Sequence, residues 1–168
     1  MDEILKIPFA AFGNNWDDLQ LFLKHRGNPS YMITDDLKLY KSNIKSLGNL
    51  TSVGGDLDLR GSEIESLGKL TSIGGSLYLD RSEIKSLENL TSVGGNLYLS
   101  GSKIESLGNL TSIGGYLDFR DGEIKSLGKL TSVGGDLSLW NSKIESFGNL
   151  TSFEEILSMV KVGGTVYL

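Results

Sequence analysis

The stretch SLGNLTSVGGDLDLRGSEIE, Ser46 to Glu65, is followed at once by SLGKLTSIGGSLYLDRSEIK, Ser66 to Lys85. Glycine pairs keep the same spacing of 20, at Gly54/Gly55, Gly74/Gly75, Gly94/Gly95, Gly114/Gly115 and Gly134/Gly135. A sixth pair, Gly163/Gly164, comes 29 residues after the fifth. A unit this short cannot enclose a core alone. It buries its apolar side chains only between copies of itself, so a fixed period of this length predicts a stack of coils.

Written from the residue after the glycines, the unit is x-L-x-L-x-x-S-x-I-x-S-L-G-x-L-T-S-V/I-G-G. Alternation of leucine with polar residues is the pattern of a short strand with one buried face. It recurs as Leu37/Leu39, Leu57/Leu59, Leu77/Leu79, Leu97/Leu99, Leu117/Phe119 and Leu137/Leu139, and Val166/Leu168 close the series. The remaining apolar positions fall at spacings of three, as in Ile64, Leu67, Leu70 and Ile73. A 3₁₀-like turn on a thin convex wall would aim all four inward. The expected fold is a right-handed parallel β-solenoid with one strand per 20-residue coil and about six buried side chains in each. The glycine pair marks a tight corner before each strand, where positive φ and close backbone approach are permitted.

Residues 1–34 lie outside the repeat and are expected to cap it. NNWDDLQLFLKHRG reads as a helix, with Asn15 as N-cap, Asp17 and Asp18 at the positive end of its dipole, and Gly27 as the stop. Trp16, Leu19, Phe22 and Leu23 share one face that should cover the first coil of a solenoid spanning 35–168. The last coil departs from the pattern as TSFEEILSMVKVGG, where a capping box precedes an apolar run. One or two inserted helical turns are expected near 153–161.

The chemistry-bearing residues are few. The chain has no cysteine and one histidine, His25, at the end of the predicted helix, where a dipole partner is the simpler reading than a base. No nucleophile motif, metal-ligand spacing or phosphate-binding glycine pattern is present, so the reading is non-enzymatic, without metal or cofactor. A net charge of −5 argues against direct nucleic-acid binding, and no apolar run approaches a membrane span. MDEILKIPFAAFGNNW carries acidic residues where a signal peptide needs basic ones, so a cytoplasmic protein is expected. Lys45, Glu65, Lys85, Glu105, Lys125 and Glu145 alternate in sign at one repeat position, which suits a stacked wall of opposite neighbours.

The outward strand positions vary most. One column reads Asp36, Asp56, Ser76, Asn96, Tyr116, Asp136; the next Lys38, Asp58, Tyr78, Tyr98, Asp118, Ser138; a third Tyr40, Arg60, Asp80, Ser100, Arg120, Trp140. Tyr78, Tyr98 and Tyr116 cluster mid-stack, with Asp58, Asp118, Arg60, Arg120 and Trp140 beside them. Tyr, Trp and Arg dominate interface hot spots, so these eight residues form the candidate partner-binding surface.

LDLRGSEIESLGKLTSI resembles the leucine-rich repeat in its short bacterial, internalin-like form, and the likeness runs from Asp36 to Leu168. The family's strand-exit asparagine is replaced by Ser42, Ser62, Ser82, Ser102 and Ser142, with Gly122 in the fifth coil. A serine has one hydroxyl where the amide has donors and an acceptor. That change and the short repeat point to a compact β-solenoid. The glycine-pair variant is similar to repeats of bacterial and bacteriophage proteins. The resemblance implies a protein-binding effector or inhibitor, acting in the cytoplasm of its own cell or of a host. Two other uses fit the same face: a nucleic-acid mimic built on its aspartates, and a carbohydrate-binding module built on its tyrosines. The final strand is also an edge through which a homodimer could form.

Overall fold

Leucines two residues apart form the expected ladder. In the computed structural model, which describes residues 4–142 and 160–167, strands at Leu37–Lys38, Leu57–Asp58, Leu77–Tyr78, Leu97–Tyr98, Leu117–Asp118, Leu137–Ser138 and Val166–Tyr167 make a seven-stranded sheet. All neighbours are parallel and in register, Leu57 with Leu77 and Leu77 with Leu97. The register survives the longer last step, where Leu137 pairs with Val166. This is the leucine sheet.

Each coil adds a second strand to the one read from the sequence. Leu50–Val53, Ser72–Ile73, Ser92–Val93, Ser112–Ile113, Ser132–Val133 and Lys161–Val162 belong to an eight-stranded parallel sheet, here the serine sheet. The apolar residues at spacings of three do point inward: Leu67 to Leu70 closes the expected 3₁₀-like turn, Leu70 N–H donating to the Leu67 carbonyl at 3.2 Å, while the step from Leu70 to Ile73 is extended. Threonine and valine suit a pleated backbone, and the threonine hydroxyls fasten it: Thr71 Oγ1 donates to the Thr51 carbonyl at 3.0 Å and Thr91 Oγ1 to that of Thr71 at 2.8 Å. Within the second coil Leu57, Leu59, Ile64, Leu67, Leu70 and Ile73 are all buried, and one continuous core runs through the stack. The parallel solenoid of 20-residue coils thus stands, with two ladders where one was expected.

The N-terminal segment both caps the stack and extends it. Strands β1 (Leu5–Ile7) and β2 (Tyr31–Ile33) pair in parallel and begin the serine sheet. Helix α1 (Trp16–Lys24) lies between them in sequence. Asn15 Oδ1 accepts from the Asp17 and Asp18 N–H groups at 3.0 and 3.3 Å, as its N-cap role requires. Leu19 and Leu23 are buried in the core, and Trp16 and Phe22 pack partly against it. A short 3₁₀ turn, Phe9–Phe12, is tied to the first coil by Asp35, whose carboxylate accepts from Phe9 N–H at 2.7 Å. The helical turns expected near 153–161 fall outside the described residues, apart from Val160 and Lys161, and Lys161 begins a strand.

The glycine pairs work differently from expectation. None of them has positive φ. They are required by proximity: a Cβ on Gly54 would stand 2.5 Å from the Thr34 carbonyl oxygen, and one on Gly74, Gly94 or Gly114 would strike the carbonyl of the glycine one coil earlier. Left-handed φ occurs elsewhere, at Gly48, Gly68, Glu88, Gly108 and Gly128, and again just after each of the first six leucine strands. Ser62 Oγ donates to the Leu59 carbonyl at 2.7 Å, while the buried hydroxyls of Ser42 and Ser82 have no partner among the described residues.

Candidate functional site

Alternation along the leucine strands sends Leu57 and Leu59 into the core and leaves Asp58 and Arg60 on the outer face. Parallel in-register pairing then stacks each outward residue on its counterpart one coil away, about 4.8 Å distant. Tyr78 and Tyr98 are therefore neighbours by construction. Their rings stack at 5.0 Å with planes 10° apart, and Tyr98 meets Tyr116 edge-on at 6.0 Å and 67°. The three tyrosines expected to cluster do form one row.

An aspartate–arginine fork stands at each end of the row. Asp58 accepts from Arg60 Nε at 2.9 Å, from Nη2 at 2.5 Å and from the Arg60 backbone N–H at 3.1 Å. Asp118 repeats this with Arg120, with Nε at 3.0 Å, Nη2 at 2.7 Å and the backbone N–H at 3.0 Å. Both are D-x-R sequences on a strand, where residues two apart share a face. The Arg60 guanidinium also lies 5.1 Å from the centre of the Tyr78 ring. Burial raises the Asp58 carboxyl, but the Arg60 side chain and backbone N–H outweigh it and hold it below the usual carboxylate range. A lowered folded value means that this contribution is present above the unfolded value near 4 and is lost as pH falls through the folded one.

The aspartates differ from their expected part. Asp118 has a side-chain exposure of 1% and Asp58 of 14%, against 51% for each arginine. They lie beneath the guanidiniums and position them, and the arginines face outward. The first column is similarly occupied. Asp36 Oδ1 accepts from Asp56 N–H at 2.9 Å, Asp56 Oδ1 from Ser76 N–H at 2.7 Å, Ser76 Oγ from Asn96 N–H at 3.0 Å, and Asn96 Oδ1 from Tyr116 N–H at 2.8 Å. This column is a side-chain ladder that satisfies backbone donors at the coil boundary.

Trp140, 57% exposed, is not part of the tyrosine row proper. With Tyr116, Arg120 and Tyr167 it lines a cavity of about 660 Å³. Tyr167, itself 50% exposed, is a site residue that the sequence reading missed. Carrying the column through the 29-residue step would have found it, since Ser138 pairs with Tyr167. Lys41, Asp80, Arg81 and Ser100 were missed too, and they line a second groove beside the row. A third groove, on the serine sheet, is formed mainly by serine, valine and glycine, with Lys161 as its charged residue.

Asp80 is unusual in the second groove, beside the tyrosine row. Burial pushes its carboxyl above the usual range and the Asp118 charge adds to this, while the backbone N–H groups of Asp80 and Ser100 oppose it. A raised folded value means that ionised Asp80 works against folding at neutral pH, and that the penalty fades as pH falls through that value. Asp80→Asn keeps an acceptor for those N–H groups and removes the charge. It is expected to melt slightly higher than the parent at pH 7, by less than about 1 kcal/mol given the solvent screening, and to lose that advantage near pH 3. Equal melting at pH 7 would show that the site tolerates the charge freely.

On the wall, Lys45 pairs with Glu65 at 3.1 Å and Lys125 with Glu105 at 3.0 Å, as sign alternation requires. His25 is the helix C-cap. Among the described residues no group of three or more His, Cys, Asp or Glu could hold a metal ion, and no helix is long and apolar enough to cross a membrane. No protein-family model, curated protein or solved structure matches the chain.

Proposed function

We propose that this chain is a non-enzymatic interaction module, built on short repeats of the leucine-rich type, that binds a protein partner on the outer face of its leucine sheet. The observation that carries the reading is the Tyr78–Tyr98–Tyr116 row, held between two guanidiniums that the Asp58 and Asp118 carboxylates orient. Each ring offers large contact area with few rotatable bonds to freeze, and each arginine is ordered before a partner arrives. A role as a bacterial or phage inhibitor of a cytoplasmic host protein belongs to the same proposal and rests on the repeat's residues alone.

Nucleic-acid mimicry has less support, because the aspartates it would display are engaged by backbone N–H groups or covered by arginines. Carbohydrate binding has one observation in its favour, the Tyr116, Trp140 and Tyr167 cavity, and a glycan array tests it directly.

Changing Tyr78, Tyr98 and Tyr116 together to Ser tests the main reading. Interface anchors contribute about 2 kcal/mol or more each, while an exposed ring ladder adds about 1 kcal/mol to the sheet. The triple variant should lose at least about a hundredfold in affinity for a partner recovered with the parent protein, and keep its circular dichroism and melting. Undiminished binding would move the site off this face.

A further inference from the structure

Beside the tyrosine row runs a groove of about 510 Å³ whose lining includes Lys41, Arg60, Asp80, Arg81, Ser100 and Arg120. Its shape follows from residue size along one column: long arginines at positions 60 and 120 bracket the short Asp80 and Ser100. Strand register places the two arginines three coils apart, about 14 Å at ~4.8 Å per strand, which is roughly four residues of extended chain.

Four cationic side chains line the groove; Asp58 and Asp118 match two of them from beneath, which leaves Lys41 and Arg81 against the one lining carboxylate, Asp80, on a chain whose net charge is −5. In each fork the carboxylate takes the arginine's Nε hydrogen and one from Nη2. A guanidinium has five N–H donors, so three remain on each arginine, already held in place. Lys41 and Arg81 form no ion pair with any carboxylate of the described residues. They sit at alternate left-handed turns, φ 52° and 55°, at the exit of their strands, with Gly61 at the turn between them.

We infer that this groove receives an extended acidic peptide segment of the protein partner, with carboxylates about four residues apart and a neutral centre between them. One carboxylate meets Lys41 and Arg60, the other meets Arg120, and Arg81 lies along the path. Asp80 on the groove floor disfavours negative charge in the middle, and the adjoining tyrosines take apolar side chains from the same segment. A nucleic-acid strand fits less well, because its regular phosphates would bring one against Asp80. This inference rests on the leucine-sheet face being the partner surface.

The test is selection from a displayed library of random 12-residue peptides on the immobilised full chain. Enriched peptides are then titrated by fluorescence anisotropy against the parent, the Tyr78, Tyr98 and Tyr116 to Ser triple variant, and K41E/R81E. An acidic side chain is accepted at this turn, as Asp121 with φ 56° shows at the equivalent position, so K41E/R81E should melt like the parent. The expected result is enrichment of Asp and Glu three to five positions apart, at least tenfold weaker binding to K41E/R81E, and weakening with added salt. Peptides lost on the tyrosine variant but without acidic bias, or bound equally by K41E/R81E, would overturn the inference and leave the face reading intact. Peptides indifferent to the tyrosine change, or no enrichment at all, would overturn both. A labelled oligothymidylate bound more tightly than the best peptide, and lost in K41E/R81E, would replace the peptide with a nucleic acid.

Discussion

Gly94→Val is expected to abolish the cooperative melt, or at least to lower stability by more than about 3 kcal/mol. Gly94 has an ordinary φ, so backbone strain is not the cause. Its Cα packs against the backbone of the preceding coil, and any Cβ there would meet the Gly74 carbonyl. The neighbours cannot step aside. Gly94 N–H donates to the Ile73 carbonyl at 2.8 Å, Gly114 N–H to that of Val93 at 2.9 Å, and the leucine sheet fixes the same coil spacing on the other side of the core. Widening the gap for one methyl would break ladder bonds in both sheets. Gly48→Ala is the control. It has φ +59° and open space where the Cβ would go, so it should cost only the left-handed penalty of about 1–2 kcal/mol. Urea unfolding of both variants decides the matter: a loss for Gly94→Val no larger than that for Gly48→Ala would show that the stack gives way to a Cβ at little cost and that crowding does not select glycine at the pair.

That contrast marks where sequence reasoning reached its limit. Period, coil length, the inward leucines and the capping helix were all legible, because each follows from alternation or from the capping rules at known spacing. Ring stacking at Tyr78 and Tyr98 was legible for the same reason, since a 20-residue period in parallel register puts equal positions side by side. The second sheet was not. A spacing of three is compatible with a turn or with a bent extended segment, and only the neighbouring coil's carbonyls, which accept from Thr71 and Thr91, decide between them. Composition could not separate the two uses of glycine either. Positive φ and a missing Cβ both select it, and the distinction depends on what lies one coil away.

The aspartates show the same limit at the site. Asp56 and Asp58 are both outward by alternation, yet the first bonds the backbone of the next coil and the second anchors a guanidinium. Charge counted along a column therefore overstates the acidity a partner meets. The residue two positions onward carried the missing information: where it is arginine, the aspartate is covered. Tyr167 was hidden for a simpler reason, the interruption of the period before the last strand.

Arg120→Ala is expected to be the most damaging single truncation on the outer face, although half of the arginine side chain is exposed. Its carboxylate partner has 1% exposure and accepts four hydrogen bonds from Arg120, two of them shared by Nε. Truncation leaves Asp118 with the backbone N–H at position 120 and no counter-charge. Removing one partner of a buried ion pair is destabilising, so the urea midpoint of R120A should fall well below the parent's. Arg60→Ala makes the same change above Asp58, which at 14% exposure can rehydrate, so its loss should be clearly smaller. If the penalty comes from the stranded charge, then removing that charge should return most of it. The stack itself supplies the replacement: Ser138, buried, occupies the position equivalent to Asp118 one coil further on, with Trp140 in place of Arg120. D118S/R120A should therefore unfold in urea at a concentration close to the parent's, while R120A alone unfolds far earlier. Failure of the double variant to recover would mean that the arginine's packing, and not its pairing, holds this end of the face together.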